Sequence, residues 1–518
     1  MTAVTEAPAW PARTGASRAA APLSLLRLLR IELRRNSMPW LLPLIAVLFW
    51  FDSYRPSASV PPLYVLRTFW NLGQGHTIID FGPFVAGVAA WMGSRDGRRR
   101  TADLVTGTAW PRWTAQLATW AATAIWAVGA YLVFVGVMFA VYATEHVQGQ
   151  PPWWWVAVGA AAVAAFSAAG FAVGAYWPSR FAAPLAAFGG FLAMVMSSQT
   201  GFHDTSGWAL ILPTNSNGNL QPDSGMLYPY LPDLPIARVM LLAGLAIAFL
   251  GLTGLPRAAG GLRLRQIAAA VTVTGMAAAG TGIGLVTTAR LSPHGIVIPA
   301  LHDAASDRLS SYTPVCGQAA GRPVCVNPAY RSDLADVTTA LAPLLAEVSG
   351  LPGAPVRAEQ IPAVYDSADG QAGQAMTITG QPPVLGLPLG ALGVRGAFGW
   401  TSAEVDGQLR LLAAHAFVGG GAGTGTLAQQ AVEAALLEGA GVPFASQPSL
   451  RTTVGLPSWA RPATGNTGGH RHGPPAAAGP VYAAARRLAA LPAASRGAWL
   501  TTHLAALRAG QLTLAQLP

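Results

Sequence analysis

Apolar positions along the 518-residue chain gather into seven runs, at about 38–52, 77–94, 114–143, 153–177, 181–198, 236–255 and 266–289. A bilayer core about 30 Å thick takes about 20 apolar residues per helix, so the pattern predicts seven transmembrane helices. The first run is short and extends to about Tyr54. Ahead of it, residues 23–36 read LSLLRLLRIELRRN, with Arg27, Arg30 and Arg34 on one helical face and Leu25, Leu26, Leu29 and Leu33 largely opposite. That is the pattern of an interfacial helix lying in the headgroup plane, although a plain extension of the first membrane helix also fits. Residues 1–22 are Ala/Pro/Arg-rich without an apolar segment, and read as a disordered cytoplasmic tail rather than a signal peptide.

From residue 290 onward the runs shorten and Gly and Pro punctuate them. Leu334, Val337, Leu341, Leu344, Leu345 and Val348 follow helical spacing, with Gly350 as a stop and Pro343 as an expected kink. PVRAEQIPAVY and AMTITG read as strands; residues 402–418, 426–440, 480–490 and 496–509 read as helices, the last closed by Gly510. The pattern therefore divides the chain into a 1–22 tail, a 23–289 transmembrane domain and a 290–518 domain. The expected fold class is a polytopic α-helical membrane protein of about seven helices, N-terminus inside, followed by a small α+β extracytoplasmic domain.

Charge sets the orientation. Only 10% of residues are charged, against about 25% in a typical soluble domain. Apolar residues reach 52% and mean hydropathy is +0.39, which excludes disorder for the bulk of the chain. Arg95, Arg98, Arg99, Arg100 and Arg112 lie in the second-to-third connection, Arg180 in the fourth-to-fifth, and Arg257, Arg263 and Arg265 in the sixth-to-seventh. The alternate connections are arginine-poor or acidic, with Glu145, Asp204, Asp223 and Asp233. Positive charge stays inside, so the N-terminus is cytoplasmic, and seven crossings put residues 290–518 outside. Trp153, Trp154 and Trp155 open the fourth run as an aromatic belt on that outer side. The same pattern accounts for the net charge of +10 without nucleic acid.

All 32 basic residues are arginine, which excludes a P-loop ATPase and a Schiff-base enzyme on this chain. Cys316 and Cys325, the only cysteines, flank a Gly- and Pro-containing segment; a disulfide-closed hairpin suits an oxidising exterior, with two free thiols or a metal site as alternatives. His470 and His472 form an HxH in a Gly/Pro-rich loop without a third ligand. His415 stands where the second histidine of HExxH would, but Leu411 and Leu412 occupy the first histidine and glutamate positions, leaving at most a degenerate peptidase-like domain. No GxSxG occurs, so no catalytic, metal or cofactor residue is assigned. Asp80 and Arg238 fall near outer helix ends, where snorkelling explains them; Gly170 and Gly174 form a GxxxG, and Gly189 and Gly190 mark a close approach.

The connection Gly93–Trp113 (GSRDGRRRTADLVTGTAWPRW) resembles the first long cytoplasmic loop of ABC-2-type transporter permeases. Asp96 and Arg98 stand at that family's charged signature, Leu104, Val105 and Thr106 at its helical turn, and Pro111 with Arg112 at its Pro-x-Arg-like end. The interfacial helix 23–36 matches its entry helix. The resemblance covers about residues 23–255 and implies an ABC exporter subunit that docks a separate ATP-binding subunit through Asp96, Arg98, Leu104, Val105, Trp110, Pro111 and Arg112. It also implies ATP and magnesium on that partner, membrane lipids, and a second permease chain as homo- or heterodimer. Two features depart from the family: its core ends after six helices, and it carries no such exterior domain. The competing expectation is a membrane-anchored extracytoplasmic binding or sensory protein.

Overall fold

The helices that form follow the apolar runs closely, but their lengths divide them into two classes. The computed structural model describes residues 21–53, 76–99, 111–144, 151–199, 210–212, 227–228, 231–255, 262–292, 295–362, 364–365, 372–373, 376–389, 402–419, 425–448, 450 and 479–518. The membrane part comprises α1 (Ala21–Arg35), α2 (Met38–Ser53), α3 (His76–Gly93), the short α4 (Arg95–Arg98), α5 (Arg112–Thr144), α6 (Trp153–Tyr176), α7 (Ala182–Gln199), α8 (Asp233–Gly254) and α9 (Leu262–Thr287). Among the described residues, four of these are long and apolar enough to cross a membrane: α5, α6, α8 and α9.

That corrects the expectation of seven crossings. The apolar stretches of α2, α3 and α7 cover only Met38–Leu48, Phe81–Gly93 and Ala182–Met196. At 1.5 Å per residue, the 18 residues of α3 or of α7 reach about 27 Å, short of the core thickness. α2 and α3 also carry Pro43 and Pro83 in their interiors. Phe81, Val85, Ala89 and Ala90 of α3 are buried against protein. In α3 that apolarity serves helix packing, which hydropathy cannot distinguish from lipid contact; α7 instead leaves Leu185, Phe188 and Met196 exposed.

Glycines set the packing. A Cβ at Gly170 or Gly174 of α6 would fall 2.1 or 2.0 Å from the carbonyl oxygens of Ala86 and Ala90, so α3 and α6 run side by side in parallel at backbone contact. α8 and α9 pack antiparallel by the same device: Gly244 faces Gly275 and Ala279, and Gly282 faces Ala237. Gly190 approaches Pro83 and Phe166, whereas Gly189 meets nothing. Tyr131 of α5 fills the notch at Gly159 of α6. Arg238 does not snorkel: it is fully buried, and its Nε and a terminal nitrogen donate to the Leu210 carbonyl at 2.9 and 2.8 Å. The Asp80 side chain lies outside the described residues.

The C-terminal domain is large and mixed rather than small. A two-stranded ribbon, β1 (Arg290–Ser292) with β2 (Gly295–Val297), follows α9 directly. Ile296 and Ile298 pack with Leu234, Ala237, Ala279 and Val286, and Asp233 Oδ2 accepts from the Ile298 N–H at 2.8 Å. The domain base is thereby fastened to α8 and α9. Beyond it, β3 (Val315–Ala319), β4 (Arg322–Val326), β5 (Arg357–Gln360), β8 (Thr377–Thr379) and β9 (Val384–Leu387) form a sheet of order β3-β4-β5-β9-β8. β4, β5 and β9 run parallel, and both edge strands pair antiparallel. β6 (Val364–Tyr365) and β7 (Ala372–Gly373) form a separate ribbon.

Cys316 and Cys325 face each other in the β3–β4 register and are disulfide-bonded, as the hairpin reading expects. The turn between them places Ala320 and Gly321 at positive φ, the conformation a two-residue hairpin needs. α10 (Leu334–Glu347) continues past Pro343 and stops before Gly350, whose φ is +83°. α11 (Ser402–Val418), α12 (Leu427–Gly439), α13 (Pro480–Ala490) and α14 (Ala493–Arg508) match the expected helices to within a few residues. One continuous core unites Val324, Ala358 and Leu385 of the sheet with Leu341, Phe417, Leu436, Leu488 and Leu504 of the five helices.

Candidate functional site

The sequence-assigned residues concentrate at the arginine-bearing end of the helix bundle. There α3, α6 and α8 finish, and α5 and α9 begin. Trp113 at the start of α5 donates to the Leu250 carbonyl of α8 at 3.2 Å, and the Tyr176 hydroxyl of α6 donates to Leu252 at 2.6 Å. α1 lies across this end. Its Trp126 contact, from the indole N–H to the Leu33 carbonyl at 3.0 Å, fixes it to α5. Asn36 donates from its amide to the Thr123 hydroxyl at 2.8 Å and accepts from Met38 N–H, closing α1 and opening α2.

Glu32, in the last turn of α1, is buried, an unusual place for a carboxylate. Its two oxygens accept from two Arg95 nitrogens at 2.9 and 3.0 Å, a bidentate pair joining α1 to the turn after α3. Burial works against the charge on Arg95. The bonds and charge of Glu32, with Asp96 at 3.5 Å, outweigh it and hold the guanidinium above its ordinary pKa. Arg98 instead folds back: it donates to Ser94 Oγ and to the Trp91 carbonyl, and its guanidinium stacks 3.3 Å from the Trp91 ring. Burial, and then the charge of Arg99, lower its pKa. A Cβ at Gly97 would come within 2.4 Å of Pro178, so this turn is wedged against the end of α6.

Of the assigned docking residues, Asp96, Arg98, Pro111 and Arg112 are therefore brought to one end of the bundle, Pro111 exposed and Arg112 half-buried. Leu104, Val105 and Trp110 lie outside the described residues, as do Thr106, His470 and His472. Sequence reasoning passed over Arg95 and Glu32, the pair that orders this end. The available signal was a lone acid among the arginines of α1.

At the opposite end Trp153 and Trp154 are exposed, and the Arg238 guanidinium lies 5.6 Å from the Trp155 ring. In the C-terminal domain, His415 of α11 and Glu433 of α12 form a buried pair, Nδ1 to Oε2 at 2.7 Å. Leu411 and Leu412 are buried core residues. Among the described residues no group of three or more His, Cys, Asp and Glu side chains is placed to hold a metal ion. A cleft of about 520 Å³ opens between α10 and α14, with the Glu347–Arg496 ion pair in its lining.

No family model, no curated protein and no solved structure matches this chain. The permease resemblance fails on two counts: no family model supports it, and among the described residues four long apolar helices stand against its six-helix core. The chain is a polytopic, mostly α-helical membrane protein. The fragments that suggested the family, a basic connection and an amphipathic entry helix, arise in any multi-pass chain whose arginines stay on one side.

Proposed function

We propose that the chain is the membrane-embedded part of a transport system for apolar or amphipathic molecules, driven by ATP hydrolysis on a separate cytoplasmic protein. The observation that carries this reading is the Glu32–Arg95 clamp. It ties α1 to the turn after α3, and through Leu33 and Asn36 to α5, so force applied at this end reaches several helices together. The partner's contact surface takes in Asp96, Arg98, Pro111 and Arg112, with Leu104, Val105 and Trp110 on the connecting segment. This chain is then not itself an enzyme, ATP and magnesium belong to the partner, and a second copy or a related chain completes the pathway.

The localisation follows from two features. Arg263 and Arg265 open α9, marking its cytoplasmic end, and the C-terminal domain begins at the other end of that helix. The Cys316–Cys325 bond belongs to an oxidising compartment. We therefore place the protein in the cell membrane with residues 290–518 outside. Affinity purification from native membranes after crosslinking tests the partner: the native chain should recover a nucleotide-binding protein and Arg95→Ala should lose it. Recovery of none with the native chain would overturn the transport reading. The α10–α14 cleft favours a second reading, a membrane-anchored exterior binding protein, which predicts ligand binding by the purified chain and indifference to Arg95→Ala.

A further inference from the structure

The cleft between α10 and α14 opens where three helices change over. α10 ends there at Glu347, α12 ends at Gly439, and α14 begins at Ala493. Its volume of about 520 Å³ is that of a small-ligand site. Two glycines in its walls have different reasons to be there. A Cβ at Gly439 would fall 3.0 Å from Glu347 Cδ and Oε1, so this glycine makes room for the carboxylate. A Cβ at Gly497 of α14 would meet nothing within 4 Å. Glycine weakens a helix interior, and here no packed neighbour accounts for it; the missing side chain leaves open cleft.

The charged pair in this wall differs from the one at the arginine-bearing end of the bundle. Glu32 and Arg95 meet through two bonds, as a pair that only joins helices would, whereas Glu347 Oε1 alone accepts from one terminal nitrogen of Arg496. The other terminal nitrogen donates to the Ala489 carbonyl of α13 at 3.2 Å. With Gly439 of α12 behind the carboxylate, the pair is held from four helices and preorganised. Two of the five guanidinium N–H groups are engaged, and Glu347 Oε2 accepts from no described residue. The Arg496 and Glu347 side chains both line the cleft and stay 13% and 20% exposed.

Unused donors and an unused acceptor therefore stand side by side on a pair whose charges cancel. A ligand with net charge gains little from such a pair. An amide, which accepts at its carbonyl and donates from its N–H, matches it. Ala346, Ala493 and Ala494 add only methyl groups to the walls, so a ligand backbone can lie close against α14. We infer that the cleft binds a short peptide through its main-chain amides, a carbonyl on Arg496 and an N–H on Glu347. The inference rests on the cleft being a ligand site, the basis of the second reading above, and is independent of ATP-driven transport.

The test is a saturation-transfer NMR titration of the full chain in nanodiscs. The probes are N-acetyl-trialanine amide, N-acetyl-trisarcosine dimethylamide, which keeps the carbonyls but has no N–H, and laurate. The trialanine probe should bind once per chain, and the trisarcosine probe at least tenfold more weakly. Glu347→Gln keeps an oxygen for Arg496 but loses the free acceptor, and should weaken trialanine binding about tenfold. Gly497→Leu fills the cleft and should weaken it at least tenfold while melting no lower than the native chain, since leucine is the better helix former and the space is open. Should that variant melt lower, Ala494→Leu, at an exposed position of the same wall, takes its place with the same expected loss. Equal binding of the two peptides, or undiminished binding by the cleft-filling variant, would overturn the inference. Laurate binding that Gly497→Leu removes, without peptide binding, would overturn the peptide class and leave the cleft a ligand site; binding of no probe would remove both.

Discussion

Glu433→Ala should loosen the C-terminal domain far more than one hydrogen bond to His415 suggests. The Glu433 and His415 side chains are 1% and 4% exposed, lie 2.7 Å apart, and join α11 to α12 within the apolar core. Removing one partner leaves the other polar and desolvated, a loss of about 3–5 kcal/mol for a buried pair. For a domain of this size, each kcal/mol moves the melting temperature by about 2–4 °C, so the domain transition should fall by roughly 6–20 °C. His415→Leu should cost a similar amount. The double variant His415→Leu/Glu433→Leu, which removes both polar groups, should recover much of the loss, giving a coupling energy of at least about 2 kcal/mol. Thermal unfolding of the full chain in detergent, with hydrogen exchange of α11 and α12 to localise the transition, measures each corner of the cycle. Additive single losses, or a Glu433→Ala loss below about 1 kcal/mol, would refute the claim that the pair is a coupled element of the core.

Other consequences are as direct. Gly170→Ala and Gly174→Ala should each reduce folded protein recovered by size-exclusion chromatography, since the new Cβ would meet the α3 backbone, while Gly189→Ala, with open space, should be silent. Alkylation without reduction should leave Cys316 and Cys325 unmodified, and replacing both with alanine should cost about 2–3 kcal/mol by the loop-entropy model. Membrane-impermeant thiol labelling of intact cells, in a background lacking the native cysteines, should protect Arg99→Cys and modify Leu309→Cys; labelling of both or neither would refute their placement on opposite sides.

Much of the architecture was legible in the order of residues because some patterns depend only on local chemistry. The runs at 114–143, 153–177, 236–255 and 266–289 became α5, α6, α8 and α9, since about 20 apolar residues without a breaker suffice for a spanning helix. The change of texture at residue 290, the helix 402–418 and the cysteine hairpin came from spacing that a helix or a two-residue turn reads directly. The arginine-bearing end was visible for the same reason: charge bias along the chain is itself the physical determinant of orientation.

What tertiary structure decided is what each apolar or polar group touches. Residues 77–94 looked like a span, yet Phe81, Val85 and Ala89 face other helices, and burial in protein and burial in lipid select the same side chains. Arg238 looked like a snorkelling end residue, but the Leu210 carbonyl, 28 residues away, draws it inward. Glu32 with Arg95 and His415 with Glu433 are each unremarkable alone; their partners stand 63 and 18 residues off. A desolvated charge is tolerated only where a distant backbone or side chain arrives to meet it, and no local pattern encodes that arrival. Local periodicity therefore determined the helices of this protein, while long-range packing alone decided which apolar faces meet protein and which charges lie inside.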